Sequence, residues 1–278
     1  MVASTADEAS VNIRDRLLKA GGWTEAGTFD GTVAWRRGDR WLVTIRKHHL
    51  YVDHIDRAVA DTLAVRPDAV VYVSKHRAAS GQDSLTVHPI GNWHTADFGG
   101  RPGEVVPAAP GVMTDALRRL ASHAKALGYP ATFEATHHGP YLETPTFYIE
   151  VGSGPDAWAD PQAAEVLARA VLTASSAGDP VALGVGGGHY VPRITDVALA
   201  RRVAFGHLVP SYALEPPNYE ALARAIERTP GVRFAYFHRK AIAKARLREL
   251  EAFFRDRGLE SVREADFAAL PGTPPQSI

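Results

Sequence analysis

Asp160-Pro-Gln-Ala-Ala-Glu-Val-Leu-Ala-Arg-Ala-Val-Leu-Thr173, followed after a short polar gap by Val181-Ala-Leu-Gly-Val185 and the three glycines 186–188, decides the fold class. Asp160 suits an N-cap, and Pro161 suits the first helical position, where a missing N–H costs nothing. The helix that starts there is expected to reach about Ala177. Val181–Val185 is short and almost wholly apolar, as in a strand covered on both faces. A helix feeding a buried strand that opens into a glycine loop is the repeating unit of α/β proteins.

The same alternation extends in both directions. Trp41–Ile45, Ala69–Val73, 131–134, 146–151 and Val232–Phe237 read as strands. Leu117, Leu120, Ala121, Ala124 and Leu127 form one helical stripe that Gly128 stops. Val11, Leu17 and Leu18 suggest a first helix ending at Gly21-Gly22, and further helices are expected near Tyr219–Arg228 and from about Arg239 to Arg257. The expectation is a single α/β domain over 1–270, with a mixed, largely parallel sheet flanked by helices, and a flexible tail at 271–278. In such sheets ligands bind where strands give way to loops.

Of 278 residues, 45% are hydrophobic and 22% charged, the balance of an ordinary soluble protein. Lys+Arg and Asp+Glu are both 31, so any nucleic-acid surface must be local. The absence of cysteine excludes disulfides, thiolate metal sites and a cysteine nucleophile, leaving His, Asp and Glu as strong metal ligands. The first residues have neither the basic nor the apolar region of a secretion signal, and no stretch approaches the roughly 18 apolar residues of a membrane span. A cytoplasmic protein, monomeric or a small homo-oligomer, is expected.

Two motifs carry the chemistry. In Glu134-Ala-Thr-His-His-Gly-Pro140, two imidazoles follow a carboxylate at a strand-to-turn junction. Neighbouring side chains in a strand face opposite ways, so both histidines converge only if the Gly139-Pro140 turn twists the chain; otherwise one is buried and the other exposed. Glu134 and His137 can bind a divalent ion or share a proton. In Gly184-Val-Gly-Gly-Gly-His-Tyr-Val-Pro-Arg193 a dinucleotide fingerprint is only superficial, since Pro192 is expected to interrupt the helix that would receive a pyrophosphate. Gly186, Gly187 and Gly188 instead suggest a nest of N–H groups for an oxyanion or phosphate, with His189 beside it and Arg193 as a phosphate contact; a plain tight turn is the alternative.

His76 in Ser74-Lys-His76 and His88 before Gly91-Asn92-Trp93 add candidates, with His88 as a third ligand and Asn92 to orient an ester; in the blander alternative, Ser80 and Asn92 only satisfy local backbone. His207, in apolar company, ranks below them. Lys240, Lys244 and Arg248 recur every four residues, giving a cationic face for a phosphate backbone or merely for solvent.

Taken in order, Asp7–Ile13, Phe29-Asp30-Gly31, Arg37-Gly38-Asp39, Asp53–Arg57, Ser74–His76, Leu85–Trp93, Glu134–Pro140, Phe147–Gly152, Gly184–Arg193 and Ala204–His207 resemble the D-aminoacyl-tRNA deacylase family of archaea and plants, also known as D-tyrosyl-tRNA deacylases. The likeness covers most of the chain and weakens after Phe237, where His238-Arg239-Lys240-Ala241 keeps the lysine but not the Asp, Trp and Gly of some members. The resemblance implies a fold akin to nucleoside phosphorylases and peptidyl-tRNA hydrolases, dependence on zinc (Zn2+), and hydrolysis of the ester of D-aminoacyl-tRNA. On that implication two or three of His88, Glu134, His137, His138 and His189 are expected to hold the metal, with His88, His137 and His189 foremost. Glu134, His138, His76 and Asn92 would then do proton transfer and ester orientation, while Gly186, Gly187, Gly188, Arg193, Lys240, Lys244 and Arg248 contact tRNA. A metal-independent enzyme like peptidyl-tRNA hydrolases or nucleoside phosphorylases, and a tRNA-binding protein without turnover, are the competing readings.

Overall fold

The structure, a computed structural model, describes residues 1–78 and 81–271, so Ser80 and the tail from residue 272 onward lie outside the described residues. The chain begins with β1 (Val2–Ser4), α1 (Glu8–Lys19), β2 (Thr24–Phe29), β3 (Thr32–Arg37), β4 (Arg40–Ile45) and α2 (Ile55–Leu63). It continues with β5 (Val70–Lys75), β6 (Ser84–His88), α3 (Pro110–His123), β7 (Ala131–Phe133), β8 (Thr146–Gly152), α4 (Pro155–Ala159) and α5 (Pro161–Thr173). The last third holds β9 (Val181–Val185), α6 (Pro192–Ala200), β10 (Ala204–Val209), α7 (Tyr219–Glu227), β11 (Val232–Phe237), α8 (Lys244–Arg255) and β12 (Glu260–Val262).

These strands form two sheets. The larger has the order β2-β3-β4-β1-β5-β8-β6-β7 and the smaller β10-β9-β11-β12. The smaller sheet is parallel throughout. In the larger, β4, β1, β5 and β8 run parallel, β2 and β3 add an antiparallel hairpin, and β6 turns antiparallel to β8. This is the expected α/β class with mixed, mostly parallel pairing, arranged as two sheets. One apolar cluster crosses between them: Leu117 of α3, Phe133, Ile149 and Val87 pack with Ile194 of α6 and with Phe205 and Leu208 of β10.

The start of α5 follows its signals, with the Asp160 carboxylate accepting from Gln162 N at 2.8 Å. It ends at Thr173 rather than near Ala177, because Ala174 turns extended and Ser175 N donates to Asp115 of α3 at 2.9 Å. Pro192 does not interrupt a helix; it occupies the first turn of α6, where proline fits. At the C-terminal end, α8 starts at Lys244 instead of Arg239, since residues 239–241 form a separate 3-10 turn and Ile242 is buried. Lys240 therefore does not share a helical face with Lys244 and Arg248.

Arg118 of α3 ties the sheets together. Its guanidinium donates to the carbonyls of Ala198 at 2.9 Å, Arg201 at 2.8 Å and Val203 at 3.0 Å, and pairs with Asp179 at 2.8 Å. Hydrogen bonds to a charged donor contribute more than neutral ones, so Arg118→Ala is expected to cost about 2–3 kcal/mol. A urea unfolding curve measures this, and an unchanged midpoint would refute it.

Candidate active site

The two motifs meet where the sheets join. Beyond β7 the chain stays extended, and Glu134 bridges Tyr190 antiparallel while His137 bridges Ile90. Ala135 N donates to His189 O at 2.8 Å, Thr136 N to Leu208 O at 2.8 Å, and Gly91 N to His138 O at 2.9 Å. Residues 134–138 are thus clamped between the end of β6, the glycine loop after β9, and β10.

His138 has φ +46, so the twist that lets adjacent histidines converge lies at His138 itself rather than at Gly139. Gly139 serves a different need: a Cβ there would lie 2.2 Å from Gly100 N and 2.3 Å from Gly99 C. Its N–H donates to Phe98 O at 3.0 Å, drawing the loop after Trp93 against the cluster.

His88, His137 and His138 share one arrangement. Nδ1 of His88 faces Pro89 O at 3.1 Å, that of His137 faces Ala135 O at 2.8 Å, and that of His138 faces Gly139 O at 2.7 Å. A carbonyl oxygen only accepts, so each Nδ1 carries a proton, and a ring that is neutral keeps its lone pair on Nε2. One ligand atom from each of the three lies within 4.8 Å of the others. Burial, then the neighbouring His88, pushes His137 down to about 3, and burial with His137 holds His138 well below the usual histidine range. His88 Nε2 is buried without a hydrogen-bond partner, 3.7 Å from Glu150. Against the desolvation of burial, Glu150 raises His88, so that nitrogen sits where positive charge is favoured.

Glu134, wholly buried, is the centre of a second group. Its oxygens lie 2.9 Å from His76 Nδ1, 3.2 Å from His189 Nε2 and 3.6 Å from His137 Nε2. Burial opposes the charge, yet His189 and His76 hold this carboxyl well below its ordinary value. His76 in turn faces Glu150 at 3.6 Å and the Tyr190 hydroxyl at 2.5 Å; against desolvation, Glu134 and Glu150 push it up to about 11. His189 is the exposed member, with its side chain 41% accessible. Behind the cluster, buried Asp7 contacts His49 at 3.1 Å and Ser74 at 3.0 Å, and His49 reaches the Tyr148 hydroxyl at 2.9 Å. The Tyr148 ring lies parallel to His88, centroids 5.1 Å apart.

Of the residues singled out in the sequence, His76, His88, Glu134, His137, His138 and His189 come together. His88, His137 and His138 make one possible ligand group, and His137 also falls with His189 and Glu134 in a second. Several other expectations need correction. The Asn92 amide donates to Gly99 O at 2.9 Å and Arg101 O at 3.4 Å, so it fastens a loop and has no free donor for an ester. Gly186 N and Gly187 N do not form an open nest, because they donate to Val209 O at 2.7 Å and Ser211 Oγ at 3.0 Å; of the three glycines only Gly188 is exposed. Arg193 is ion-paired with Glu264. Lys244 and Arg248 are exposed on α8 and Lys240 on its own turn. His207 is buried against Thr136, 3.2 Å away, and burial takes it down to about 3.

Glu150, Asp7, His49 and Tyr148 were missed as site residues. Glu150 had a readable signal, since a carboxylate inside the otherwise apolar run 146–151 must find a partner.

A sequence profile described as D-aminoacyl-tRNA deacylase matches residues 63–262. A protein of that name from Methanococcoides burtonii is 36% identical over 98% of this chain, which spans 58% of that longer protein. Similar proteins from Pyrococcus furiosus (37% identical, 80% of this chain and 83% of that one) and Thermococcus kodakarensis (34%, 95% and 99%) carry the same name. A crystal structure of a conserved protein of unknown function superposes with a TM-score of 0.89 at 29% identity, covering 97% of each chain. The ordered motifs, the shared architecture and these relatives lead to one assignment: this chain is an enzyme of the D-aminoacyl-tRNA deacylase family.

Proposed function

We propose that the cluster hydrolyses the ester bond of D-aminoacyl-tRNA, releasing free D-amino acid and tRNA, with zinc held by His88, His137 and His138. The observation that carries this reading is one ring nitrogen from each of His88, His137 and His138 lying within 4.8 Å of the others beside buried Glu150, a donor set that suits zinc. Held there, zinc would supply Lewis acidity towards the ester carbonyl and would lower the pKa of water towards about 7.

The chain's own groups manage the protons. Glu134 Oε2 accepts a proton from the attacking water, and His189 Nε2, in contact with that oxygen and open to solvent, passes a proton to the departing ribose oxygen. The carbonyl C–O bond to ribose breaks as the new C–O bond from water forms. His76, fixed by Tyr190 and Glu150, keeps Glu134 ionised and in place. An ester to ribose is already activated, so no protein nucleophile is needed. Among the described residues no helix is long and apolar enough to cross a membrane; the cytoplasm, where charged tRNA circulates, is the compartment this function implies.

The purified protein is expected to release D-Tyr from D-Tyr-tRNA while leaving L-Tyr-tRNA intact, to lose most of that rate on chelation, and to regain it when zinc is restored. No release of D-Tyr overturns the substrate. A rate indifferent to chelation overturns the metal and leaves Glu134 and His189 as a metal-free acid-base pair.

A further inference from the structure

The large apolar side chains exposed among the described residues are Val33, Tyr51, Phe98 and Tyr212. Scattered singly, such residues need no explanation. Here three of the four stand on segments that touch the histidine cluster, at 62%, 63% and 54% exposure. Phe98 O receives the N–H of Gly139, the residue after His138. Tyr51 borders the same loop: a Cβ on Gly99 would lie 3.5 Å from its ring. Tyr212 lies on the opposite side, where neighbouring Ser211 exchanges hydrogen bonds with Gly187 in both directions, at 2.8 and 3.0 Å.

We propose that Tyr51, Phe98 and Tyr212 form a stacking rim that grips the single-stranded 3′ end of tRNA; this rests on the ester-hydrolysis reading above. When the reacting carbonyl is at the buried histidines, the aminoacyl group lies inside and the terminal ribose with its base must emerge at the rim. Single-stranded bases are held by stacking on aromatic rings, with cations for the backbone. The cations are at hand. Arg101 follows Phe98 in the same loop and pairs with no carboxylate among the described residues, its guanidinium 3.9 Å from the centre of the Tyr141 ring. Exposed Lys240 stands next to Ala241, whose carbonyl accepts from Ser211. Arg101 and Lys240 beside these segments argue against an apolar protein partner, which would need a continuous patch.

The test is binding, which requires no turnover. Affinity is measured for an uncharged tRNA and for the same tRNA trimmed of its last three nucleotides, at one salt concentration, with the intact chain and with Tyr51→Ala, Phe98→Ala, Tyr212→Ala and Val33→Ala. Intact tRNA is expected to bind the unaltered protein at least tenfold more tightly than trimmed tRNA. Each rim variant should lose roughly tenfold on intact tRNA and nothing on trimmed tRNA, Phe98→Tyr should restore affinity, and Val33→Ala on the remote hairpin should behave as the parent. Equal effects on both tRNAs, or no effect on either, overturn the rim. A changed preference among D-amino acids at unaltered tRNA affinity also overturns it, by placing the rings on the aminoacyl group. If the protein hydrolyses no ester yet shows the three-nucleotide dependence, the hydrolysis reading fails and the rim stands.

Discussion

Replacing Glu134 with glutamine is expected to slow D-aminoacyl-tRNA hydrolysis by about 10³-fold, within the range that loss of one positioned acid-base group produces. The amide keeps the size of the side chain but removes the charge that His76, His137 and His189 surround. It also cannot accept a proton from water. Because Glu134 is wholly buried and His76 would keep only Glu150, at 3.6 Å, as a carboxylate partner, a stability loss of about 1–3 kcal/mol is added. Single-turnover hydrolysis at saturating enzyme, with circular dichroism to confirm folding, separates the two effects. A folded variant within threefold of the parent would remove Glu134 from the chemistry.

A second large effect is expected from packing alone, with no titrating group replaced. Gly99→Ala would place a Cβ 1.8 Å from Leu50 O, at φ +76, and the obstacle is backbone that cannot swing aside. The loop must then lift from the 49–51 turn, breaking the hold of Asn92 on Gly99 O and of Phe98 O on Gly139. A cost of about 3 kcal/mol is expected, from left-handed strain plus the clash. Gly128→Ala is the comparison: it has φ +73 but nothing within 4 Å, so it should cost only about 1 kcal/mol. Thermal melts of both variants test this, and equal losses would show that the close approach carries no energy.

Much of the fold was legible because burial writes a pattern into sequence. Val181–Val185 is apolar because both faces are covered, and the Leu117–Leu120 stripe of α3 faces one core. The β2–β3 hairpin went unread because its strands are mostly exposed and carry no alternation, although Asp30-Gly31 is the turn pair such hairpins favour. The start of α8 was misplaced because charges at 240, 244 and 248 suit a helix locally, while the burial of Ile242 is a tertiary matter. At the site, residue type and order marked the histidines. Their division into a lone-pair triad and a carboxylate pair depends on which backbone carbonyl each Nδ1 meets, and no spacing encodes that. The glycine loop and Asn92 were misjudged for the same reason, since Val209 O, Ser211 Oγ and Gly99 O are partners supplied by distant chain.

The clamp on residues 134–138 has one more consequence, for when the active centre comes into being. Its strand is laid down against Ile90 and Gly91 on one side and Leu208 and His189 on the other, segments that the chain delivers about a hundred residues apart. Neither sheet alone offers both edges. The centre therefore exists only where the two sheets are docked, so that activity regained on refolding is expected to report the whole molecule rather than the region that bears the histidines.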